Sequence, residues 1–246
     1  MNVRLTQIDG KLPNLALMAL STHHKKQGDS VYFTRRIACD LFEPGEYGAV
    51  YASAIFKFSA DRLERFKHQW PNAVIGGTGS GNDNTVEQAT GANRVAHDYS
   101  IYPDFEPSLG FTQRGCRLSC KFCVVPKKEG KNRSVSTIGE IWRGSENPKK
   151  LILLDNDFFG QEHWQERISE IRRGGFRACL NQGINVRLID DEAAEALASI
   201  EYRDDQFQQR RIYTAWDNLK DEEVFFRGID TLERAGVPPK HVMAYM

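Results

Sequence analysis

Short strand-like apolar runs alternate with amphipathic stretches along most of the 246 residues, and this alternation confines the chain to an α/β fold with mainly parallel strands. Each intervening helix returns the chain so that the next strand runs in the same direction as the last. In the first hundred residues, strands are expected at Met1 to Ile8, Ser30 to Phe33, Tyr47 to Ile55 and Ala73 to Ile75. Pro13 suits the first turn of a helix that Gly28 stops, with Leu15, Leu17, Met18 and Leu20 as its apolar face. Leu63, Phe66 and Trp70 mark a second helix over Asp61 to Trp70. Gly76-Gly77-Thr78-Gly79-Ser80-Gly81 comes next, and a polar stretch without periodicity runs on to about His97, which reads as a loop and domain linker. The glycine run matches neither a P-loop nor G-x-G-x-x-G, so a tight strand exit is favoured over a phosphate cradle.

The second half repeats the pattern with longer helices. Strands are expected at Leu109 to Gln113, Leu151 to Leu154, Phe176 to Leu180, Arg211 to Ala215 and His241 to Met246. Helices fall at Gln161 to Arg173, from an Asp190 cap to Ile200, and at Asp221 to Ala235, where Val224, Phe225, Ile229 and Leu232 share one face. That makes roughly four and a half βα units after residue 106, the repetition of a parallel barrel or half-barrel. A sequence ending on a strand leaves an edge uncovered, so a truncated barrel is the expectation.

Thirty-three Lys and Arg balance thirty-three Asp and Glu, so no global field draws a polyanion, and nucleic acid is not indicated by the totals. No run of 18 apolar residues exists and the first residues lack a signal-peptide layout, which points to a cytoplasmic chain without a membrane partner. Of five cysteines, Cys116, Cys120 and Cys123 fall within eight residues, while Cys39 and Cys179 stand alone as expected small apolar residues. In such a context the cluster favours metal or redox chemistry over disulfides.

Cys116-Arg117-Leu118-Ser119-Cys120-Lys121-Phe122-Cys123 has the spacing C-x3-C-x2-C directly after a strand. No nearby residue offers a fourth ligand for a closed zinc site, and three thiolates with an open position suit a [4Fe-4S] cluster. This segment, with its aromatic residue before the third cysteine, resembles the signature of the radical S-adenosylmethionine (radical SAM) superfamily. Val124-Val125-Pro126, Gly130 and Arg133-Ser134 resemble a stretch seen in its methylthiotransferase-like and cobalamin-associated branches. The resemblance implies that Cys116, Cys120 and Cys123 hold a [4Fe-4S] cluster whose fourth iron binds S-adenosyl-L-methionine. Reductive cleavage would then give a 5′-deoxyadenosyl radical acting on an unidentified substrate, in an oxygen-sensitive enzyme served by an external low-potential donor of flavodoxin or ferredoxin type.

The same resemblance assigns Phe122 to the adenine, and Asp155, Asn156 and Asp157, in place of the usual Gly-Gly-Glu, to the methionine amino group. Gln182 and Arg187 lie in a segment resembling QG-x-x-x-R-L, with Arg187 available for the S-adenosylmethionine carboxylate, and Asp217 is placed to reach the ribose. The domains are expected at 1–100, resembling a Rossmann-like cobalamin-binding domain with an open sheet, and 101–246, a partial radical SAM barrel. Cobalamin is compatible with such a domain, but its Asp-x-His-x-x-Gly motif is absent.

Other readings stay open. The thiols can serve a non-catalytic zinc- or cluster-binding module, or the chain can be a truncated, inactive radical SAM relative. Asp155 and Asp157 can cap the helix beginning near Gln161, Arg187 can pair with Asp190 or Asp191, and Asp217 can be a turn residue. Lys127, Lys128, Lys131 and Arg133 form a basic loop best read as solvated surface.

Overall fold

Strand β1 (Asn2–Gln7) is flanked on both sides by parallel neighbours, β2 (Ser30–Thr34) and β3 (Ala49–Ser53), and β4 (Val74–Gly76) extends the sheet from β3. This order, β2-β1-β3-β4, belongs to the first of two units, Met1–Phe105 and Glu106–Met246, in a computed structural model that describes residues 1–82, 84–91 and 96–246. Two helices carry the longer returns, α1 (Leu15–Lys26) and α2 (Ala60–Gln69). Asn14 fixes the start of α1 by accepting the Leu17 N–H at 3.1 Å, while its amide donates to Ser53 Oγ at 2.8 Å. Val3, Leu5, Leu17 and Leu20 pack together, and a separate cluster holds Ile8, Ala52, Ala54, Leu63, Phe66 and Ile75. Apolar clusters thus lie on both faces of the sheet, although β1 itself alternates, with Val3 and Leu5 on one face and the buried polar Arg4 and Thr6 on the other.

The stretch read as a linker is not all irregular. A short helix, α3 (Val86–Thr90), starts from a capping box in which Thr85 and Gln88 exchange side-chain and backbone hydrogen bonds. Residue 83 and residues 92–95 of that stretch lie outside the described residues. The glycine run is a strand exit in close contact with the end of β3. Gly77 has φ +93° and a Cβ there would strike the Ala54 carbonyl, and a Cβ on Gly79 would lie 2.5 Å from the Phe56 carbonyl oxygen.

An ion pair is buried on β1. Arg4 Nε meets Glu43 Oε2 at 2.9 Å with both side chains almost fully shielded, Tyr47 donates its hydroxyl to the same oxygen at 2.9 Å, and the guanidinium lies 4.8 Å from the Trp70 ring centroid. Arg4 also donates to the Arg36, Ile37 and Ala38 carbonyls, so one cation organises the loop between β2 and β3.

In the second unit, β5 (Ser108–Gly110), β8 (Lys150–Leu153), β9 (Arg177–Leu180) and β10 (Glu201–Tyr202) form a parallel sheet in the order β10-β9-β8-β5. Between β5 and β8 come β6 (Gln113–Arg114), α4 (Val125–Glu129), β7 (Arg133–Ser134) and α5 (Ile138–Ile141), with β6 and β7 antiparallel. The longer helices are α6 (Trp164–Gly174), α7 (Asp191–Ala198) and α8 (Glu222–Arg234). Leu151, Leu153, Ala178 and Leu180 on one sheet face share a core with Ile168 and Ile171 of α6 and Ala194 and Leu197 of α7.

The class is therefore α/β with parallel sheets, and the second unit differs from the expected single barrel wall. The last strands, β11 (Ile212–Ala215) and β12 (Val242–Tyr245), form their own parallel pair. Glu201 and Tyr202, too few to show periodicity, take the free edge of β9 that the next barrel strand would need. Among the described residues no helix is long and apolar enough to cross a membrane.

Removing one partner of the buried pair leaves the other charge stranded. Glu43→Ala is expected to lower the urea stability of the protein by about 3–5 kcal/mol, while Arg4→Met combined with Glu43→Leu recovers most of that loss. A loss below about 1 kcal/mol in the single variant would show the pair to be solvated.

Candidate functional site

The three clustered cysteines sit on the loop between β6 and α4, and that loop is tied to the carboxyl ends of β5 and β8. The first tie is Asp155, just past β8. Its carboxylate accepts the Thr112 N–H at 2.7 Å and the Gln113 N–H at 3.1 Å, and it also receives the Thr112 hydroxyl. Gln161 braces the same hydroxyl with its amide at 2.9 Å. Gln113, itself fully buried, then reaches in two directions: its amide donates to the Gly115 carbonyl at 2.6 Å, and its carbonyl accepts the Asp157 N–H at 3.0 Å.

Gly115 lets the chain turn into the cysteine segment. Its φ is +81°, and a Cβ would overlap the Lys131 carbonyl, so the close approach of the 130–131 backbone requires glycine. Glu129 anchors the turn by accepting the Gly115 N–H at 3.0 Å, Arg114 through both carboxylate oxygens at 3.0 and 2.9 Å, and the Asn156 amide at 3.1 Å. Asp157 holds the far side, accepting the Arg117 N–H at 3.2 Å and the Asn132 amide at 3.1 Å and pairing with Arg117 Nε at 3.0 Å.

Cys116, Cys120 and Cys123 are all half-buried. Cys116 donates its N–H to the Gly130 carbonyl at 3.4 Å, the Leu118 N–H points at Cys116 Sγ at 3.4 Å, and Cys123 closes a turn on the Cys120 carbonyl at 3.0 Å. Burial pushes the Cys116 thiol up against the pull of the Leu118 N–H, and the charges of Asp157, Cys120 and Cys123 add to the rise. Three thiols close enough to repel one another's ionised forms, with one N–H already aimed at sulfur, are a donor set suited to a cationic metal centre. Among the described residues the side chains are not drawn together into a group of three or more metal-binding ligands.

The other residues singled out from the sequence are distributed unevenly. Asp155 is buried with its oxygens engaged by Thr112 and Gln113, so it holds the strand exit and neither caps α6 nor faces an outside amino group. Asn156 and Asp157 stand beside the cysteine loop through Glu129 and Arg117. Arg187 pairs with Asp221 at 2.5 Å and with Asn185 at 3.1 Å, while Asp190 caps α7 and Asp191 pairs with Arg234, which leaves neither as its partner. Phe122 is 73% exposed, and Gln182 and Asp217 are exposed on the loops after β9 and β11. Gln113, Glu129, Asn132 and Gln161 were not foreseen as site residues. Their partners lie up to 49 positions away, and no local pattern signals such contacts.

No protein-family model matches the chain. A curated protein, ribosomal protein uS12 methylthiotransferase RimO of Opitutus terrae (strain DSM 11246 / JCM 15787 / PB90-1), is 32% identical over 59 residues, covering 22% of this chain and 12% of that protein. This short similarity hints at the radical SAM superfamily and at nothing finer.

Burial outweighs the three donors on Asp155 and raises its carboxyl to about 6 from an unfolded value of 3.8. Between those values the folded chain holds a proton that the unfolded chain has released, so this contribution is complete below pH 4 and is lost as pH rises through 6. Asn at this position does not titrate. From pH 4 to pH 7 the wild type should therefore lose up to about 3 kcal/mol of denaturant stability relative to Asp155→Asn. A difference independent of pH would mean that the carboxylate stays ionised.

Proposed function

We propose that Cys116, Cys120 and Cys123 hold a [4Fe-4S] cluster, and that the chain is the S-adenosylmethionine-cleaving part of a radical SAM enzyme acting on an unidentified substrate. The observation that carries this reading is a loop of three thiols, one of them receiving an N–H, tied by Asp155, Asp157 and Glu129 to the carboxyl ends of parallel strands. Carboxyl ends of parallel strands are where α/β folds place ligands. The parallel strands of the second unit are read, within this proposal, as parts of a partial barrel.

When bound, the cluster and S-adenosylmethionine supply the 5′-deoxyadenosyl radical. The chain's own residues orient and shield. Asp155 and Gln113 fix where the loop leaves the sheet, and Arg117 offsets the Asp157 carboxylate that would otherwise oppose further negative charge at the thiols. The Leu118 N–H stabilises a Cys116 thiolate. Phe122, largely exposed, has a free face for an adenine ring. Asn156 flanks the loop as a candidate amino-group acceptor. Asp157 is buried and holds Arg117 and Asn132, so that role would require it to exchange a partner, and Gln182 and Asp217 offer exposed polar groups to the rest of the cofactor. Arg187 already holds a carboxylate, that of Asp221, so its proposed role with the S-adenosylmethionine carboxylate requires that partner to be exchanged. An external low-potential electron donor is part of the proposal; cobalamin is not.

Anaerobic reconstitution with iron and sulfide, followed by electron paramagnetic resonance of the reduced protein with and without S-adenosylmethionine, tests this directly. The expected result is a [4Fe-4S]⁺ signal that shifts with the cofactor and disappears in Cys116→Ala, Cys120→Ala and Cys123→Ala. Stoichiometric zinc with no cluster would establish the structural-module reading instead. A cluster whose signal ignores S-adenosylmethionine would mark an inactive relative.

A further inference from the structure

The first unit displays two phenylalanines to solvent from the place where an open parallel sheet binds its ligands. With the order β2-β1-β3-β4, the direction of winding reverses between β1 and β3, and the crevice outside their carboxyl ends is the expected ligand position. Asp9, after β1, accepts the N–H groups of Ile55 and Phe56, after β3, at 2.8 and 3.0 Å. The glycine loop packs against the Phe56 backbone from the other side. The turn is thus held firmly, yet Phe58 is 83% exposed and Phe56 42%. Their rings lie parallel within 10°, with centroids 5.0 Å apart.

Four basic residues lie on the segments at this edge, Lys11 after β1, Arg35 after β2, Lys57 after β3 and Arg62 in α2, and the Arg35 guanidinium is 6.0 Å from the Tyr102 ring centroid. Lys57 stands between the two rings in sequence. Arg35 donates to the carbonyls of Gly10 and Lys11 at 3.3 and 3.0 Å, and Arg62 donates to the Arg35 carbonyl. Among the described residues, Lys11, Arg35, Lys57 and Arg62 have no acidic partner. Of the nearby acids, Asp9 is occupied by the two backbone N–H groups, and Asp61 is exposed in the first turn of α2.

We propose that this edge of the first unit binds single-stranded nucleic acid, with bases stacking on Phe58 and Phe56 and phosphates meeting Lys11, Arg35, Lys57 and Arg62. Exposed rings interleaved with unpaired cations match the two repeating parts of such a strand, a base with a π face and a phosphate. The openness of the rack selects the polymer over a free nucleotide, whose pocket would enclose most of the ligand. An acidic protein would satisfy the cations but gives no reason for holding two stacked rings apart from the core. The inference is independent of the cysteine site.

The test is fluorescence anisotropy of labelled twelve-nucleotide oligo(dT) and oligo(U) with the full chain across a salt series. The expected outcome is binding to either strand whose log affinity falls with log salt at a slope of about −3, for four phosphates contacted. Phe58→Ala, at a position too exposed to matter for folding, should weaken binding about fivefold or more at every salt concentration. Lys57→Gln should instead flatten the slope by a little under one unit. A preference between the two oligomers would identify RNA or DNA as the source. No binding at low salt, binding unmoved by both variants, or equal competition by uridine monophosphate would overturn the proposal.

Discussion

One buried carboxylate sets the geometry of the cysteine loop. Asp155 stands at the end of β8 and grips two consecutive backbone N–H groups just past β5, so the neighbouring strand dictates the direction in which the chain leaves the sheet. Everything downstream inherits that direction: Gln113 can span Gly115 and Asp157 only because its backbone is fixed, and Glu129 can collect Arg114, Gly115 and Asn156 only because the turn at Gly115 is tight. A carboxylate so placed is costly to ionise, and its pKa is raised even with three donors on it. The fold tolerates that cost at the point where a loop without regular structure must be held still.

The two units use charge in different ways. In the first, Arg4 and Glu43 are buried as a pair and knit the loop between β2 and β3 to the sheet, a role that needs no ligand. In the second, Glu129 is partly shielded and Asp157 buried; Arg114 of β6 neutralises the first and Arg117 of the cysteine loop the second, and both carboxylates act as posts for backbone N–H groups. The chain is electrically neutral overall, yet its neutrality is not uniform. Cations left over at the carboxyl edge of the first sheet are invisible in totals that average them against acids elsewhere.

Much of the fold was legible because burial leaves a periodic trace. The face of Phe225, Ile229 and Leu232 with Gly236 beyond it located α8, and Leu63 with Phe66 located α2. Elements held by other means escaped. α3 rests on a capping box in a polar stretch, β6 and β7 are two residues each, and β10 is two residues that redirect a whole sheet edge. In the site, the thiols announce themselves by spacing, whereas their supports do not. Thr112 and Asp155, or Gln113 and Asp157, meet only after β5 and β8 have paired, and nothing in either local sequence encodes the partner. Arg187 illustrates the converse: the sequence sets a cofactor carboxylate against a nearby Asp190 or Asp191 as its partner, but the acid it meets is Asp221, 34 positions on.

That long span has a consequence for how the protein comes into being. Asp155 follows Thr112 by 43 residues, so on a ribosome adding about 5–20 residues per second Thr112 precedes its anchor by about 2–9 s, and the cysteines follow Thr112 within that interval. During that interval the three thiols hang on a tether with no fixed direction, open to oxidants and to adventitious metals. Ordering of the loop waits on closure of the β5–β8 ladder, a non-local parallel pairing of the kind that forms slowly. The order of events is therefore fixed by the chain itself: the thiols are made first, stay unshaped while β8 is still being synthesised, and take up their final setting only once Asp155 has closed on Thr112 and Gln113.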